Sequence, residues 1–176
     1  LYHDDCLDDE MRKQIYTDIY DDSEWLNSVV ENLLSVTRFE DNKVNLNLTD
    51  QVVDEVISEA LKHVSRKGKE HHISMAPNND ILLAKMDTRL IMQVILNLVE
   101  NAVKYTPKGS NILIEATKQD TYALIRVKDD GPGVKEEMKP HLFEMFYTGE
   151  KKVADSRRSL GLGLSLCKSI VEAHGG

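Results

Sequence analysis

The sequence predicts an α+β fold in which one long helix precedes a mixed domain of short strands and helices. The chain has 176 residues, 41% hydrophobic and 30% charged, a composition typical of a soluble globular protein. Residues 8–39 contain neither Gly nor Pro and carry a heptad pattern, which predicts an unbroken helix. After it, strand-like and helix-like stretches alternate without the regular order of a doubly wound parallel sheet, which favours α+β.

The first helix carries an apolar seam whose positions are spaced by alternating steps of four and three residues. About 30 helical residues make a rod roughly 45 Å long, too long to lie on a small domain without overhanging. The seam therefore predicts a coiled-coil or bundle helix. Asp22 interrupts it and either sets the register of helix pairing or lies at a solvent-exposed edge. The seam consists of Ile15, Ile19, Asp22, Leu26, Val29, Leu33 and Val36.

Turn residues, helix caps and periodicity divide the rest of the chain into elements. Thr49-Asp50 and Asp87-Thr88 are the expected N-caps of two helices. Residues 120–121 are the expected turn of an antiparallel hairpin. We expect strands at 44–48, 72–76, 81–85, 111–117 and 122–128, helices at 52–68, 87–105 and 162–174, and a long loop at 130–160.

Acidic charge is concentrated in the first quarter of the chain. The sequence has 22 Lys and Arg against 30 Asp and Glu, a net charge of −8, and residues 1–44 hold 12 acidic and 4 basic residues. This step in charge is a candidate domain boundary, and the acidity argues against a nucleic-acid partner. No apolar run approaches the roughly 20 residues of a membrane helix, so we expect no membrane contact by this segment. Cys6 and Cys167 have no metal-ligand spacing, which favours free thiols in a reducing compartment.

Polar residues form a stripe on the helix predicted at 87–105. Asn97, Asn101 and Lys104 share one helical face, and Tyr105 follows. Amide oxygen is a hard ligand acceptable to Mg²⁺, and a lysine suits a phosphate chain. The stripe also fits the solvated face of an ordinary amphipathic helix.

The segment DDGPG follows a predicted strand. Gly131 and Gly133 flank Pro132, which indicates a turn where backbone can closely approach a ligand. Asp129, last on the strand, is placed to accept a hydrogen bond from an exocyclic amine such as that of adenine, while Asp130 points the other way. A tight turn also forms without any ligand.

Aromatic residues stand in the long loop, in the run LFEMFY. Phe143 and Phe146 are unusual in a solvated loop because aromatic area prefers burial. They either anchor a lid that closes over a ligand or form a small satellite cluster that pins the loop.

Glycines precede the last helix in the run SLGLGLSL. Gly161 and Gly163 leave backbone N–H groups at a helix N-terminus, where an anion is attracted by those groups and by the helix dipole. Arg157 and Arg158 lie just upstream and can add positive charge. The run matches neither a Walker A loop nor GxGxxG.

The order and separation of these four stretches resemble the N, G1, F and G2 boxes of the ATP-binding domain shared by sensor histidine kinases, DNA gyrase, Hsp90 and MutL proteins. The resemblance covers about residues 44–176 and implies a two-layer α/β sandwich of the Bergerat type. The LLSVTRFED end of the first helix resembles the second helix of the histidine kinase dimerisation domain. Residues 1–43 are therefore expected to belong to that domain, without its first helix, and 44–176 to the catalytic domain, without its last strands. The SRRSLGLGLSLCKSIVEAHGG stretch is similar to potassium-responsive Kdp-type sensor kinases.

The resemblance also implies roles for individual residues and identifies partners. Asn101 would hold Mg²⁺ with Asn97 beside it, and Asp129 would bind the adenine amine of ATP. The remaining residues would contact phosphates, shape the pocket or close over it. The implied partners are ATP, a second copy through the helical bundle, and a response regulator, in the cytoplasmic part of a membrane-anchored bacterial sensor. These remaining residues are Lys104, Tyr105, Gly131, Gly133, Phe143, Arg157, Arg158, Gly161, Leu162, Gly163 and Leu164.

Three departures from the family pattern affect the expected activity. Thr148 stands where the family often has a basic residue, and Ser159 stands where another Gly is usual. None of the six histidines lies in a phosphoacceptor motif, so the acceptor helix is expected upstream of Leu1 and this segment alone is not expected to phosphorylate itself. The ATP hydrolases of the superfamily place a Glu base where this chain has Asn97, which disfavours hydrolysis. A nucleotide-binding module without catalysis stays open as a third alternative.

Overall fold

The computed structural model describes residues 8–40, 45–64, 66–78, 80–148 and 160–176. Within these ranges, no helix has both the length and the apolar character needed to cross a bilayer. Two short 3₁₀ helices, Arg66–Glu70 and Glu136–His141, accompany the regular elements. These are, in chain order, α1 (Asp9–Glu40), β1 (Thr49–Val52), α2 (Val53–Leu61), β2 (His72–Met75), β3 (Leu83–Met86), α3 (Thr88–Tyr105), β4 (Asn111–Gln119), β5 (Tyr122–Asp129) and α4 (Gly163–Ala173).

The described strands form two sheets. In the three-stranded sheet β4 is central, parallel to β2 and antiparallel to β5. The predicted hairpin is confirmed, since Gln119 pairs with Tyr122 and the turn lies between them. The second sheet pairs β1 antiparallel to β3, from Thr49 opposite Met86 to Val52 opposite Leu83.

Two clusters of buried side chains hold the layers together. The larger one joins α2, α3 and the inner face of the three-stranded sheet, and the smaller one joins α3 to α4. Helix α3 therefore belongs to both, which makes it the central element of the body, here residues 45–176. The expected two-layer α/β arrangement is confirmed. Fully buried members include Ile57, Ile95, Ile112 and Ile114 in the larger cluster and Leu166 and Ile170 in the smaller one.

Two predictions for residues 45–70 were wrong. No strand lies at 45–48, and Thr49-Asp50 is the start of β1 rather than a helix cap. Helix α2 begins after Val52, without a side-chain cap, and ends at Leu61, seven residues before Gly68. The strand forms at 49–52 because β3 pairs with it, and the Val53 N–H extends that contact to the Leu82 carbonyl at 2.9 Å. This pairing depends on a distant partner and is not visible in the local pattern.

Helix α1 is unbroken, as the heptad pattern predicts, and its faces differ. It packs against α4, and Gln93 Nε2 on α3 donates to Asn32 Oδ1 at 3.1 Å. Asn32 belongs to a half-buried stripe with Asp21, Trp25, Val29 and Ser35. Val29 also belongs to the apolar seam. The seam residues Ile15 (39%), Ile19 (58%), Leu26 (56%) and Leu33 (47%) are exposed and lie about a third of a turn away.

Candidate nucleotide-binding site

Helix α3 forms the spine of the candidate site. The Asp87 carboxylate caps its start by accepting from the Leu90 N–H at 3.3 Å, as predicted. The polar stripe lies along its second half, with Asn97 and Asn101 half-buried and Lys104 exposed. At 1.5 Å per residue, the nine steps from Asn97 to Thr106 cover about 13 Å. The stripe is therefore long enough to follow an extended ligand.

One end of the stripe meets the N-terminus of α4. A Cβ added to Gly163 would lie 3.7 Å from both Cγ and Oδ1 of Asn97, so the two motifs are in contact. Asn97 Nδ2 is buried and, within the described part of the chain, has no hydrogen-bond partner. The first turn of α4 has no side-chain cap, which leaves its N–H groups available to an anion. Buried Leu162 and half-buried Leu164 flank Gly163.

Gly161 joins this end to the aromatic run. Its carbonyl accepts from the Phe146 N–H at 3.0 Å. A Cβ at Gly161 would lie 2.5 Å from the Tyr147 carbonyl oxygen, and its φ of +67° is in the region that favours glycine. Only glycine fits this crossing, so the segments that resemble the F and G2 boxes are held together by their backbones.

The other end of the stripe meets the turn after β5. Asp129 Oδ1 accepts from the Gly131 N–H at 3.0 Å. Asp130 turns away, as expected, and its two oxygens accept from the backbone and side-chain amides of Asn111 at 3.0 and 2.7 Å. These hydrogen bonds lower the pKa of Asp130. Gly133 has a φ of +72°, and nothing stands within 4 Å of where its Cβ would be.

Lys104 and Tyr105 lie at the exposed end of α3. Lys104 Nζ is 5.3 Å from the centroid of the Tyr105 ring, a distance suited to a cation–π contact. The tyrosine side chain is 59% exposed. Both side chains are therefore accessible to a ligand that follows the stripe.

A buried thiol supports the α3–α4 contact. Cys167 is 4% exposed, and its Sγ lies 3.8 Å from the Val94 carbonyl oxygen on α3. Burial raises the pKa of Cys167 to about 12, while the polar Asn97 side chain opposes that rise. The neutral thiol is the stable form, so it acts as a small packing group behind Asn97.

The aromatic loop lies beside α4. Phe143 is 50% and Phe146 63% exposed, so neither is buried in a satellite cluster. Phe143 and Met145 border a groove of about 400 Å³ whose other wall is α4, including Ser165 and Lys168. Among the described residues, no other predicted ATP-site residue borders this groove. Two predicted phosphate contacts, Arg157 and Arg158, lie outside the described residues.

The donor set fits a magnesium ion that is shared with phosphate. Across the described ranges, no three His, Cys, Asp or Glu side chains are grouped to hold a metal. Mg²⁺ keeps several waters and is usually bound by few protein oxygens together with substrate phosphates. Asn101, half-buried on the stripe one turn beyond Asn97, offers such an oxygen. The residues present therefore fit a nucleotide-bound ion rather than an all-protein cage.

Sequence reasoning missed several residues that position the site. Thr106 packs against Gly131, and His174 Nε2 accepts from the Asp87 N–H at 3.0 Å. Asp87 Oδ2 also accepts from the Asn47 N–H at 3.1 Å, so this cap ties together three distant segments. The Pro after Thr106 marked a helix end, but no local pattern marked the distant partners.

Comparison with known families places the chain. Residues 86–176, just over half of it, match the model of the histidine kinase-, DNA gyrase B-, and HSP90-like ATPases. The matched segment contains α3, the turn after β5 and the start of α4. The chain therefore belongs to this ATPase family.

The relatives are sensor kinases. The sensor protein KdpD of Clostridium acetobutylicum is 40% identical over 176 residues, which are all of this chain and 20% of that protein. This chain thus spans about a fifth of that relative's length. The catalytic domain of histidine kinase ThkA is 28% identical with a TM-score of 0.63, over 73% of this chain and 82% of that one. ThkA in complex with the response regulator protein TrrA matches 100% of this chain and 47% of that one at 24% identity and a TM-score of 0.63, a likeness of fold.

Proposed function

We propose that this chain is the ATP-binding catalytic part of a two-component sensor histidine kinase, similar to KdpD. The observation that carries the proposal is the convergence of three motifs on α3. Asn97 touches Gly163, Thr106 approaches Gly131, and the polar stripe runs between those two contacts. Base-binding and phosphate-binding elements thus stand about 13 Å apart along one helix.

The adenine end of the proposed site is the turn after β5. Asp129 has one oxygen engaged by the Gly131 N–H, and the described residues offer no hydrogen bond to the other. That oxygen can accept from the exocyclic amine of adenine. Gly131 and Gly133 add no side chains to the turn.

The phosphate end is the uncapped start of α4. Gly161, Leu162, Gly163 and Leu164 would present backbone N–H groups to the triphosphate, whose negative charge the helix dipole favours. Asn101, with Asn97 beside it, would bind Mg²⁺, and Lys104 would contact a phosphate. Tyr105 and Phe143 would flank the nucleotide, and Arg157 and Arg158 would add charge from the adjoining segment.

Phosphoryl transfer is favoured over hydrolysis by what stands next to the proposed metal ligand. Asn97, four residues before Asn101, has no basic group to activate water. Glu100 lies about 100° around the helix from Asn101 and already has an interaction partner in the fold. The contribution of this domain is then positioning and electrostatic stabilisation, with a histidine of an acceptor helix as the nucleophile.

The proposed partners follow from this role. The exposed seam residues of α1 suit a second copy in a helical bundle, and residues 1–43 would then be part of the dimerisation domain. Phosphate would pass from the acceptor histidine to a response regulator. The whole protein would be a membrane-anchored sensor with this segment in the cytoplasm.

Nucleotide binding tests the site. Asp129→Asn and Asn101→Ala are each expected to weaken binding of Mg²⁺-ATP by at least about tenfold, because each removes a charged or coordinating oxygen. Isothermal titration calorimetry measures this. Asp120→Asn, in the hairpin turn at the far end of β5, is the matched control and should bind like wild type. Wild-type affinity in both site variants would rule out the assigned site.

Transfer separates the three activities. The chain is mixed with Mg²⁺-ATP and a separately produced acceptor-helix domain of a related kinase. Phosphohistidine on that domain, lost in Asn101→Ala, is the expected result. Phosphate release without phosphohistidine would identify a hydrolase, and ATP binding without either product would identify an inactive module.

A further inference from the structure

Thr106, the C-cap of α3, is wedged against the turn that carries Asp129. A Cβ placed on Gly131 would lie 2.6 Å from Thr106 Cγ2 and 3.4 Å from its Cβ. The methyl group therefore lies directly beside the glycine backbone. The turn approaches this closely only because position 131 has no side chain.

The rotamer of Thr106 is held by its own helix. Its Oγ1 donates to the Ala102 carbonyl oxygen at 2.8 Å, and its backbone N–H donates to the same oxygen at 3.1 Å. Its backbone is extended, with φ −110° and ψ 153°, as the following Pro107 requires. Rotating the side chain away from Gly131 would break the hydroxyl hydrogen bond, so the methyl group is a fixed wall.

The Asp129 carboxylate borders the same space. The added Cβ on Gly131 would lie 2.8 Å from Asp129 Oδ1, the oxygen that accepts from the Gly131 N–H. The methyl group and the carboxylate thus both border the space beside Gly131. The methyl group restricts movement of the turn toward α3, and the Gly131 N–H holds one oxygen of the carboxylate.

We propose that Thr106 is a positioning residue that makes the site selective for adenine over guanine nucleotides, an inference that rests on the proposed ATP-binding function. Adenine presents an exocyclic amine to a carboxylate oxygen, whereas guanine presents a carbonyl oxygen at the same ring position. A carboxylate held in one orientation accepts a hydrogen bond from the adenine amine and repels the guanine carbonyl oxygen. A carboxylate free to turn aside discriminates less.

Thr106→Ser tests the role of the methyl group, because it keeps the hydroxyl and removes only the methyl group. The affinities for ATP, GTP and inorganic tripolyphosphate are measured by calorimetry, together with melting temperatures. ATP binding should weaken about fourfold, the equivalent of one lost methyl contact, while tripolyphosphate binding stays at the wild-type value. Thr106→Val keeps a methyl group facing Gly131 and should lose less affinity for ATP than Thr106→Ser does. Thr117→Ser, an exposed position on β4, is the matched control.

Gly131→Ala provides the reciprocal test. The added Cβ should weaken ATP binding more than Thr106→Ser does, because it meets both the methyl group and the carboxylate. Adding Thr106→Ser to Gly131→Ala should recover part of the lost affinity, because one of the two close contacts is relieved. A double variant that binds ATP no more tightly than Gly131→Ala would contradict the proposed role of the Thr106 methyl group.

The remaining outcomes separate this inference from the proposed function. If Asp129→Asn weakens ATP binding but Thr106→Ser leaves the ATP to GTP ratio unchanged, the inference is wrong and the ATP site stands. An equal loss of affinity for all three ligands, together with a lower melting temperature, would mean that Thr106 has only a structural role. If Asp129→Asn binds ATP like wild type, both the adenine end of the assigned site and the role of Thr106 are wrong.

Discussion

Helix α1 and the body use their apolar residues in opposite ways. In the body, Ile57, Ile112 and Leu166 are fully buried in clusters whose described members all lie in the body. In α1, Leu26 is 56% and Ile19 58% exposed, although their heptad spacing is regular. The stripe of α1 that faces the body is the mixed polar one around Trp25 and Asn32.

This difference shows that the two faces of α1 serve different contacts. A polar, half-buried stripe with one side-chain hydrogen bond to α3 is a modest attachment. An apolar seam left exposed favours burial against another helix. The body is therefore stabilised by its own core, whereas α1 depends on what covers its seam.

The largest expected contrast lies between the core and the seam. Leu166→Ala should lower the free energy of unfolding of the body by about 2–5 kcal/mol, because it leaves a cavity between α3 and α4. Leu26→Ala should change it by less than about 0.5 kcal/mol. Urea unfolding followed by circular dichroism at one fixed, low protein concentration measures both, since a partner helix would make stability depend on concentration.

Ile170→Val is the milder control for the same cluster. It should cost about 0.5–1.5 kcal/mol and leaves the body folded even if Leu166→Ala does not. A seam substitution as costly as Leu166→Ala would mean that the body itself covers the seam.

Thiol reactivity tests how stably α4 packs against α3. Because burial raises the pKa of Cys167 to about 12, the thiolate that reacts with iodoacetamide is scarce at pH 8. In a Cys6→Ser background, alkylation should be slower in the native protein than in urea by more than about tenfold. Equal rates, measured by mass spectrometry, would mean that α4 opens freely.

The same thiol has a predicted effect on alkaline stability. The folded state favours the protonated form, so its contribution is complete below the unfolded pKa of about 8.5 and is lost as pH rises toward 12. Cys167→Ala should remove that part of the alkaline slope, which pH-dependent urea unfolding measures.

The attachment of α1 is expected to be weaker than either cluster. Gln93→Ala removes the hydrogen bond to Asn32 and should cost about 0.5–1.5 kcal/mol. Trp25, the single tryptophan, is half-buried on the same stripe and reports release of α1 by fluorescence. Gln14→Ala, which breaks an exposed bond to Asp18 within α1, is the control. An unchanged Trp25 transition in Gln93→Ala would show that this bond does not hold α1 to the body.

The smallest effect concerns acid stability near the site. Hydrogen bonds from Asn111 lower the pKa of Asp130, so its contribution is present above the unfolded pKa of about 3.9. It is lost as pH falls through the lower folded value. Asp130→Asn should therefore flatten the fall of stability with acid. Asp50→Asn, at an exposed position on β1, is the control. Urea unfolding between pH 2 and 5 measures the slope, and equal slopes in the two variants would contradict the role of Asn111.

The sequence predicted the elements that local chemistry controls. The heptad spacing predicted α1, the 3.6-residue period and the Asp87 cap predicted α3, and the turn at 120–121 predicted the hairpin. It failed at β1, because Thr49–Val52 has no strong alternation and becomes a strand only beside β3. Pairing of distant segments can override local propensity.

For the candidate site, the residue types and their order were visible before any fold. Asn97, Asp129 and Gly163 could be chosen because their order and separation resemble the boxes of a known ATP-binding domain. What brings them together could not be read along the chain.

The sequence by itself determined the helix periods, the Asp87 cap, the hairpin and the chemistry available along one stripe of α3. Only the tertiary structure decided that Thr106 stands against Gly131 and that Asn97 stands against Gly163. It also decided that α1 presents its polar stripe to the body while Ile15, Ile19, Leu26 and Leu33 of its seam stay exposed. The physical reason is the distance along the chain over which each interaction acts. A period or a cap acts between residues a few positions apart, whereas these contacts join distant segments and depend on how the whole core packs.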